Sequence, residues 1–275
     1  MLQQHLSPIS LPQHFLPYQI GANIDAYQES FPSIEGKKIA LVQVCSPANP
    51  RKQQLRNYLY SLASSPSIEQ YLVDLGDIIA CDEPSETNET IQAVCSYLID
   101  CKVIPIVITS HPDQGEPIYK SLERLDLEIE LAYISSHLPL LEYELLHRIC
   151  LYEPNFLKNL STIGLQSHYI PPKALDMLEN LHFDHLRLGT LKTAIDEAEL
   201  YLRNASLTLF HLDAVRHTDA PTQSYIIPNG LSSEEACQIA RFAGASDYTK
   251  AYGILGYEDS QDTTQLCAAL IAQLL

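Results

Sequence analysis

Cationic residues are scarce in this chain. Its 275 residues hold 17 Lys and Arg against 34 Asp and Glu, a formal charge of −17, and the pI is near 4.8. Holding nucleic acid by its phosphates needs clustered Lys and Arg, so neither DNA nor RNA is an expected partner. Tryptophan is absent, and the 16 Tyr are not interleaved with basic residues, which also argues against a surface that stacks single-stranded bases. No apolar run reaches the roughly 18 residues that span a bilayer. The opening MLQQHLSPIS has neither the basic start nor the apolar stretch of a secretion signal. The expectation is a cytoplasmic protein with no membrane partner. There is no Cys-x-x-Cys pair. Seven Cys, at Cys45, Cys81, Cys95, Cys101, Cys150, Cys237 and Cys267, form an odd, scattered set with mostly apolar neighbours. They read as reduced core thiols, not as a disulfide frame or a zinc site.

Core-forming material is plentiful, with 46% hydrophobic residues, so an ordered core is expected. Residues 1–36 carry Pro8, Pro12, Pro17 and Pro32 and little periodicity. They read as an irregular arm laid over one domain formed by 37–275. From there, short apolar runs alternate with helical patterns. The runs predict strands at 38–44, 72–75, 103–108, 129–134, 162–165, 186–188, 207–212 and 251–255. Helices are predicted at 50–64, opened by Pro50, and at 86–101, where Ile91, Val94, Cys95, Leu98 and Ile99 fall on one face. Further helices are expected at 140–150, 172–181, 191–202, 232–244 and 263–275, with Ser232 and Glu235 forming a capping box. Helix-separated strands imply a mainly parallel sheet covered on both faces. The fold class is therefore α/β, a three-layer sandwich with about eight strands. Leu266, Leu270 and Leu274 end the chain on an apolar stripe, which belongs either to the core or to an interface with a second copy.

Ligands of such sheets bind beyond the carboxyl ends of the strands. Those positions read Thr109-Ser-His-Pro-Asp113, Ser135-Ser-His-Leu-Pro139, Gln166-Ser-His168, Asp213-Ala-Val-Arg216 preceded by His211, and Gly256-Tyr-Glu258. The candidate cleft is His111, Ser135, His137, His211, Asp213, Arg216 and Glu258. Ser135 or Ser136 beside His137 suggests a Ser–His pair, but no Gly-x-Ser-x-Gly elbow is present. Cys45 follows the first strand without a catalytic Cys signature and reads as a buried thiol. Asp74-Leu-Gly-Asp77 reads first as a glycine turn after a strand.

In order and spacing, segments 104–112, 135–139, 209–221, 229–231 and 252–256 resemble the ureohydrolases, the family of arginase, agmatinase and formimidoylglutamase. The stretch from Asp219-Ala-Pro221 through Asn229-Gly-Leu231 to Glu234–Gly244 is most similar to a divergent, Bacteroidetes-type arginase-like branch. The resemblance implies an arginase-like fold and a site of two manganese ions bridged by hydroxide. That site attacks a guanidinium or amidine carbon. Its ligands are two His and four Asp.

Carried over position by position, the set is depleted. The first His falls at His111 or Pro112. The Asp-Ala-His-x-Asp segment becomes Ser135, Ser136, His137, Leu138 and Pro139. The Asp-x-Asp pair becomes His211 and Asp213. The Glu that meets the guanidinium becomes Gly256, two residues before Glu258, and the following Asp-Pro becomes Arg216-His217. Asp74-Leu-Gly-Asp77 resembles a segment near the family's site rim. Two divalent ions on one carboxylate would be poorly compensated. The expectation is a degenerate homologue that has lost dimanganese hydrolysis and keeps a cleft for a small polar molecule. In that case Ser135 and Arg216 should occupy the metal space. The alternative is an active amidine hydrolase with one metal on His137, His211 and Asp213; with His111 added, three imidazoles and a carboxylate suit zinc, nickel or iron(II).

Overall fold

A computed structural model describes residues 2–11, 14–47, 54–64, 70–221, 226–258 and 261–275. Nine strands form its sheet. They are β1 (Asp25–Ala26), β2 (Ile39–Cys45), β3 (Leu72–Ile79), β4 (Ile104–Thr109), β5 (Ile129–Ile134), β6 (Leu157–Leu165), β7 (Asp184–Arg187), β8 (Leu207–His211) and β9 (Ala251–Leu255). Their order is β1-β3-β2-β4-β9-β8-β5-β6-β7, and each neighbouring pair is parallel. The expected α/β sandwich is therefore present, with one more strand than the apolar runs suggested.

Alternation along each strand builds two cores. Leu41, Ile106, Ile108 and Phe210 face one layer, packed with Leu55 and Leu59 of the helix Gln54–Ser61, Ile239 of Ser233–Gly244 and Leu270 of Gln261–Leu274. Ala40, Val42, Val107 and Leu209 face the other, with Ile91, Val94 and Leu98 of Pro84–Asp100. Ser232 caps its helix through the expected box with Glu235. Leu266, Leu270 and Leu274 are buried within this chain, so that stripe is core and not an interface. Among the described residues, no helix is long and apolar enough to cross a membrane.

Several boundaries differ from the sequence reading. Pro12 and Pro50 lie outside the described residues, and the helix expected at 50–64 is described from Gln54 to Ser61. The helix expected at 140–150 begins at Leu145. That expected at 191–202 is split into Leu188–Thr193 and Glu197–Leu202 by an extended Ala194, which lets Ile195 pack on the core. Tertiary burial overrides helical periodicity there. The arm is more structured than its prolines suggested. It contributes β1, and it buries Leu2, Leu6, Ile9, Ile20 and Tyr27. The Cys reading is corrected as well, because Cys81 and Cys101 are exposed rather than core. They follow β3 and the helix Pro84–Asp100 respectively.

The largest departure is at Gly76. It was read as a turn after β3, but the strand runs through it to Ile79. Leu41 pairs with Asp74 and Gln43 with Asp77, so β3 carries one extra residue there. Gly76 takes φ +86°, and a Cβ on it would lie 2.2 Å from the Ser7 carbonyl oxygen of the arm. On a regular strand Asp74 and Asp77 would face opposite sides. The bulge turns both toward Arg56, which is fully buried. Arg56 Nε donates to Asp74 at 2.7 Å and Nη1 to Asp77 at 2.6 Å. Nη2 donates to the Gly76 carbonyl at 3.0 Å, and the Tyr60 hydroxyl donates to Asp74. Burial pushes the Asp77 carboxyl up, and Arg56 offsets this only in part. Replacing Arg56 by Leu leaves two buried carboxylates unpaired and should cost about 3–5 kcal/mol in chemical denaturation. A loss below about 1 kcal/mol, the range of surface pairs, would contradict this reading.

Candidate functional site

β5 and β8 lie side by side, with Ile134 opposite Phe210. Their next residues, Ser135 and His211, therefore leave the sheet together at its carboxyl edge. The sequence predicts a strand running to Leu212, with Asp213 just beyond it. Instead β8 ends at His211, and Leu212–Ala214 form one turn of 3-10 helix. The turn swings the Asp213 carboxylate back over the end of β5.

Asp213 is 4% exposed, and its oxygens are occupied by the protein itself. Ser135 Oγ donates to them at 2.8 and 3.1 Å. The Ser136 backbone N–H lies 3.4 Å from Oδ1. His137 Nδ1 is 2.8 Å from Oδ2. His211 Nδ1 accepts the Asp213 backbone N–H at 3.1 Å and lies 2.8 Å from Oδ1. Burial alone would raise the Asp213 pKa. The two imidazoles outweigh it and hold the carboxyl well below the usual carboxylate range. His137 is fixed further by its backbone N–H to Ser135 Oγ at 3.0 Å and by stacking on Tyr169, with centroids 4.8 Å apart.

This arrangement does not fit the metal centre that the resemblance implied. His137 Nδ1 lies against the carboxylate and His211 Nδ1 accepts the Asp213 backbone N–H, so both nitrogens are engaged within the chain and not turned toward a shared ion. Among the described residues, no group of three or more His, Cys, Asp or Glu is placed to hold a metal. The single-metal set His137, His211 and Asp213 comes together as an internally bonded cluster instead. Gly256 adds a steric term. Its φ is +75°, and a Cβ there would lie 3.2 Å from Cε1 and Nε2 of His211. The imidazole thus stands against the position where the family's Glu would begin.

A Ser–His–Asp relay is not formed either. Ser136 Oγ and Asp213 Oδ2 each lie 2.8 Å from the same nitrogen, His137 Nδ1. A relay needs nucleophile and carboxylate on opposite ring nitrogens. Ser135 Oγ is committed to Asp213.

The remaining candidates lie apart from this cluster. Arg216 was expected beside Asp213 with Ser135, but of the two only Ser135 bonds that carboxylate. Arg216 instead pairs with Asp219 at 2.6 Å, within a loop that Asp219 ties to the Ser233 N–H at 2.8 Å. His111 is exposed, and Glu258 is half-buried beyond β9. Neither lines the cavity over Asp213, about 230 Å³ in volume. That cavity is lined by His137, His211 and Asp213, and also by Tyr143, Glu144 and Arg148. Arg148 is held by Asp113 at 2.7 Å and by Glu116 at 2.6 Å. Arg148 and Tyr169 were missed in the sequence. Their partners are 32 to 35 residues away for Arg148, and no local motif marks either one.

No protein-family model matches the sequence, and no curated protein matches it. Solved structures match over nearly the whole chain. The formiminoglutamase of Trypanosoma cruzi, solved with Mn2+, superposes with a TM-score of 0.79 at 17% identity, covering 93% of this chain and 96% of its own. Formimidoylglutamase from Bacillus subtilis gives 0.78 at 13% identity, covering 96% and 94%. The agmatine ureohydrolase of Thermoplasma volcanium gives 0.73 at 14%, covering 94% of each chain. At these identities the likeness establishes the fold, which is the arginase-like fold of these enzymes.

A carboxylate kept for a metal is a destabilising charge in the metal-free protein, and its amide should be more stable. Asp213 has donors of its own, so Asp213→Asn should lower unfolding stability by about 1–3 kcal/mol at neutral pH. Its folded pKa lies below the unfolded value of about 3.9, so this contribution is present above that pH and is lost as pH falls through the folded value. Urea titrations at pH 7 and below pH 4 check both points. A variant more stable than the parent at pH 7 would contradict the reading.

Proposed function

We propose that this chain is a ureohydrolase homologue that has lost dimanganese hydrolysis and retains its cleft for a small polar molecule. The observation that carries the reading is the state of Asp213. It is the one carboxylate left of the family's ligand set, and Ser135, Ser136 and His137 hold it by hydrogen bonds. In the family's chemistry, paired metal ions lower the pKa of bound water to make a hydroxide nucleophile near neutrality. The other three Asp positions of that set are Ser135, Pro139 and His211 in this chain, and none supplies a carboxylate. The end-on-sheet cavity bounded by His137, Tyr143 and Arg148 supports retention of a binding cleft.

The alternative is an amidine hydrolase on a single rebuilt metal site. It finds no support in the direction of the two imidazoles.

Metal analysis tests the first half of the proposal. Protein purified without chelator and then dialysed against manganese-free buffer should hold well under one manganese ion per chain. Two tightly bound ions would overturn the proposal. Activity tests the same half independently. Urea release from arginine or agmatine should stay at background, with or without added manganese. A turnover near the common enzyme value of about 10 per second on either substrate would refute it.

A further inference from the structure

A second pocket lies beside the cleft, at the carboxyl ends of β6 and β7. It encloses about 510 Å³, and its walls include Gln166, His168, Arg187, Thr190, Lys192 and Asn229. Arg187 is the last residue of β7 and the register partner of Leu165, so it stands next to Gln166. His168 leaves the end of β6 through a short 3-10 turn. Ring contacts connect the pocket to the cleft, one stacked and one tilted by 50°. His137 lies on Tyr169, and Tyr169 meets His168 with centroids 4.1 Å apart.

Two features of this pocket point to a ligand. The first is charge. On a chain with a formal charge of −17, Arg187, Lys192 and His168 converge on one pocket with no Asp or Glu among its lining residues. Lys192 reaches Glu235 outside the pocket at 3.2 Å. Arg187 makes no ion pair or side-chain hydrogen bond among the described residues. The second is an orphaned acceptor. Gln166 is 4% exposed, and its Nε2 donates to the Asn229 carbonyl at 2.6 Å. That bond fixes the amide, and Oε1 is left buried without a partner. A buried acceptor without a donor costs free energy that a bound donor would recover.

We propose that this pocket binds an oxyanion that also carries a hydrogen-bond donor, namely hydrogen phosphate or the singly protonated form of a phosphate monoester. Its charged oxygens meet the Arg187 guanidinium, with His168 and Lys192 adding positive potential. Its protonated oxygen donates to Gln166 Oε1. Sulfate has the same shape and charge but no proton at neutral pH, so it would leave Oε1 unpaired.

Isothermal titration of the full chain with inorganic phosphate at pH 6.5 and fixed ionic strength tests this. Phosphate should bind saturably. Sulfate should bind about tenfold more weakly or not at all, the usual effect of one unmet buried hydrogen bond. Arg187→Gln changes an exposed side chain and should leave the thermal midpoint unchanged while weakening phosphate about tenfold or more. Glycerol 3-phosphate as a second probe separates the sources. Tighter binding than inorganic phosphate assigns the site to a phosphate ester, and weaker binding assigns it to the free ion. No phosphate binding by the parent chain, or equal binding by Arg187→Gln, would overturn the site. Equal binding of sulfate and phosphate would overturn the role of Gln166 and the choice of a protonated oxyanion.

Discussion

A buried carboxylate must be compensated, and the way Asp213 is compensated decides what the cleft can do. In a two-metal site, cations do this from outside the protein's own hydrogen-bonding inventory. Here two serines and two imidazoles do it. Under the proposed function, Ser135 takes the place of an Asp ligand, and its hydroxyl donates to Asp213. His211 takes the place of a second Asp, and its Nδ1 accepts the Asp213 backbone N–H beside the carboxylate. Each replacement removes a carboxylate and adds a partner for the one that remains. The site is therefore stable without an ion, and its geometry is set by hydrogen bonds within the chain.

The changes are also coupled sterically. His211 can occupy its place because residue 256 has no side chain to meet it, and Gly256 takes a backbone conformation that most residues disfavour. Restoring the family's Glu at 256 alone would meet the His211 ring. Restoring an Asp at 211 alone would withdraw a partner from Asp213. Under the proposed function, a return to metal chemistry requires several substitutions at once. A similar logic holds the other side of the sheet. The Gly76 bulge brings two carboxylates onto Arg56 and admits the Ser7 carbonyl of the arm, so the arm, the bulge and the buried cluster depend on one another.

The sheet was legible because its strands are short apolar runs separated by helical periodicity, and buried parallel strands carry that signature strongly. The convergence of Ser135, His137, His211 and Asp213 was legible because position after a strand fixes position at the sheet edge. What escaped was whatever depends on one extra residue or on partners far along the chain. Asp74 and Asp77 look like turn residues until the bulge realigns them. Arg56 looks like one more helix cation, although it is fully buried. Arg216 was assigned to the cleft from spacing alone. Its neighbour Asp219, three residues on, claims it at the surface first. Arg148 and Tyr169 carry no local motif, and Gln166 shows its unmet acceptor only once Asn229 is folded beside it.

The proposed loss of the metal centre can be tested most directly at the manganese absorption edge. Crystals of the full chain, soaked in millimolar manganese chloride, should show no anomalous peak within coordination distance of Asp213, and His137 should remain hydrogen-bonded to its carboxylate. One or two ordered peaks bridged by Asp213, with His137 and His211 turned onto them, would contradict the account.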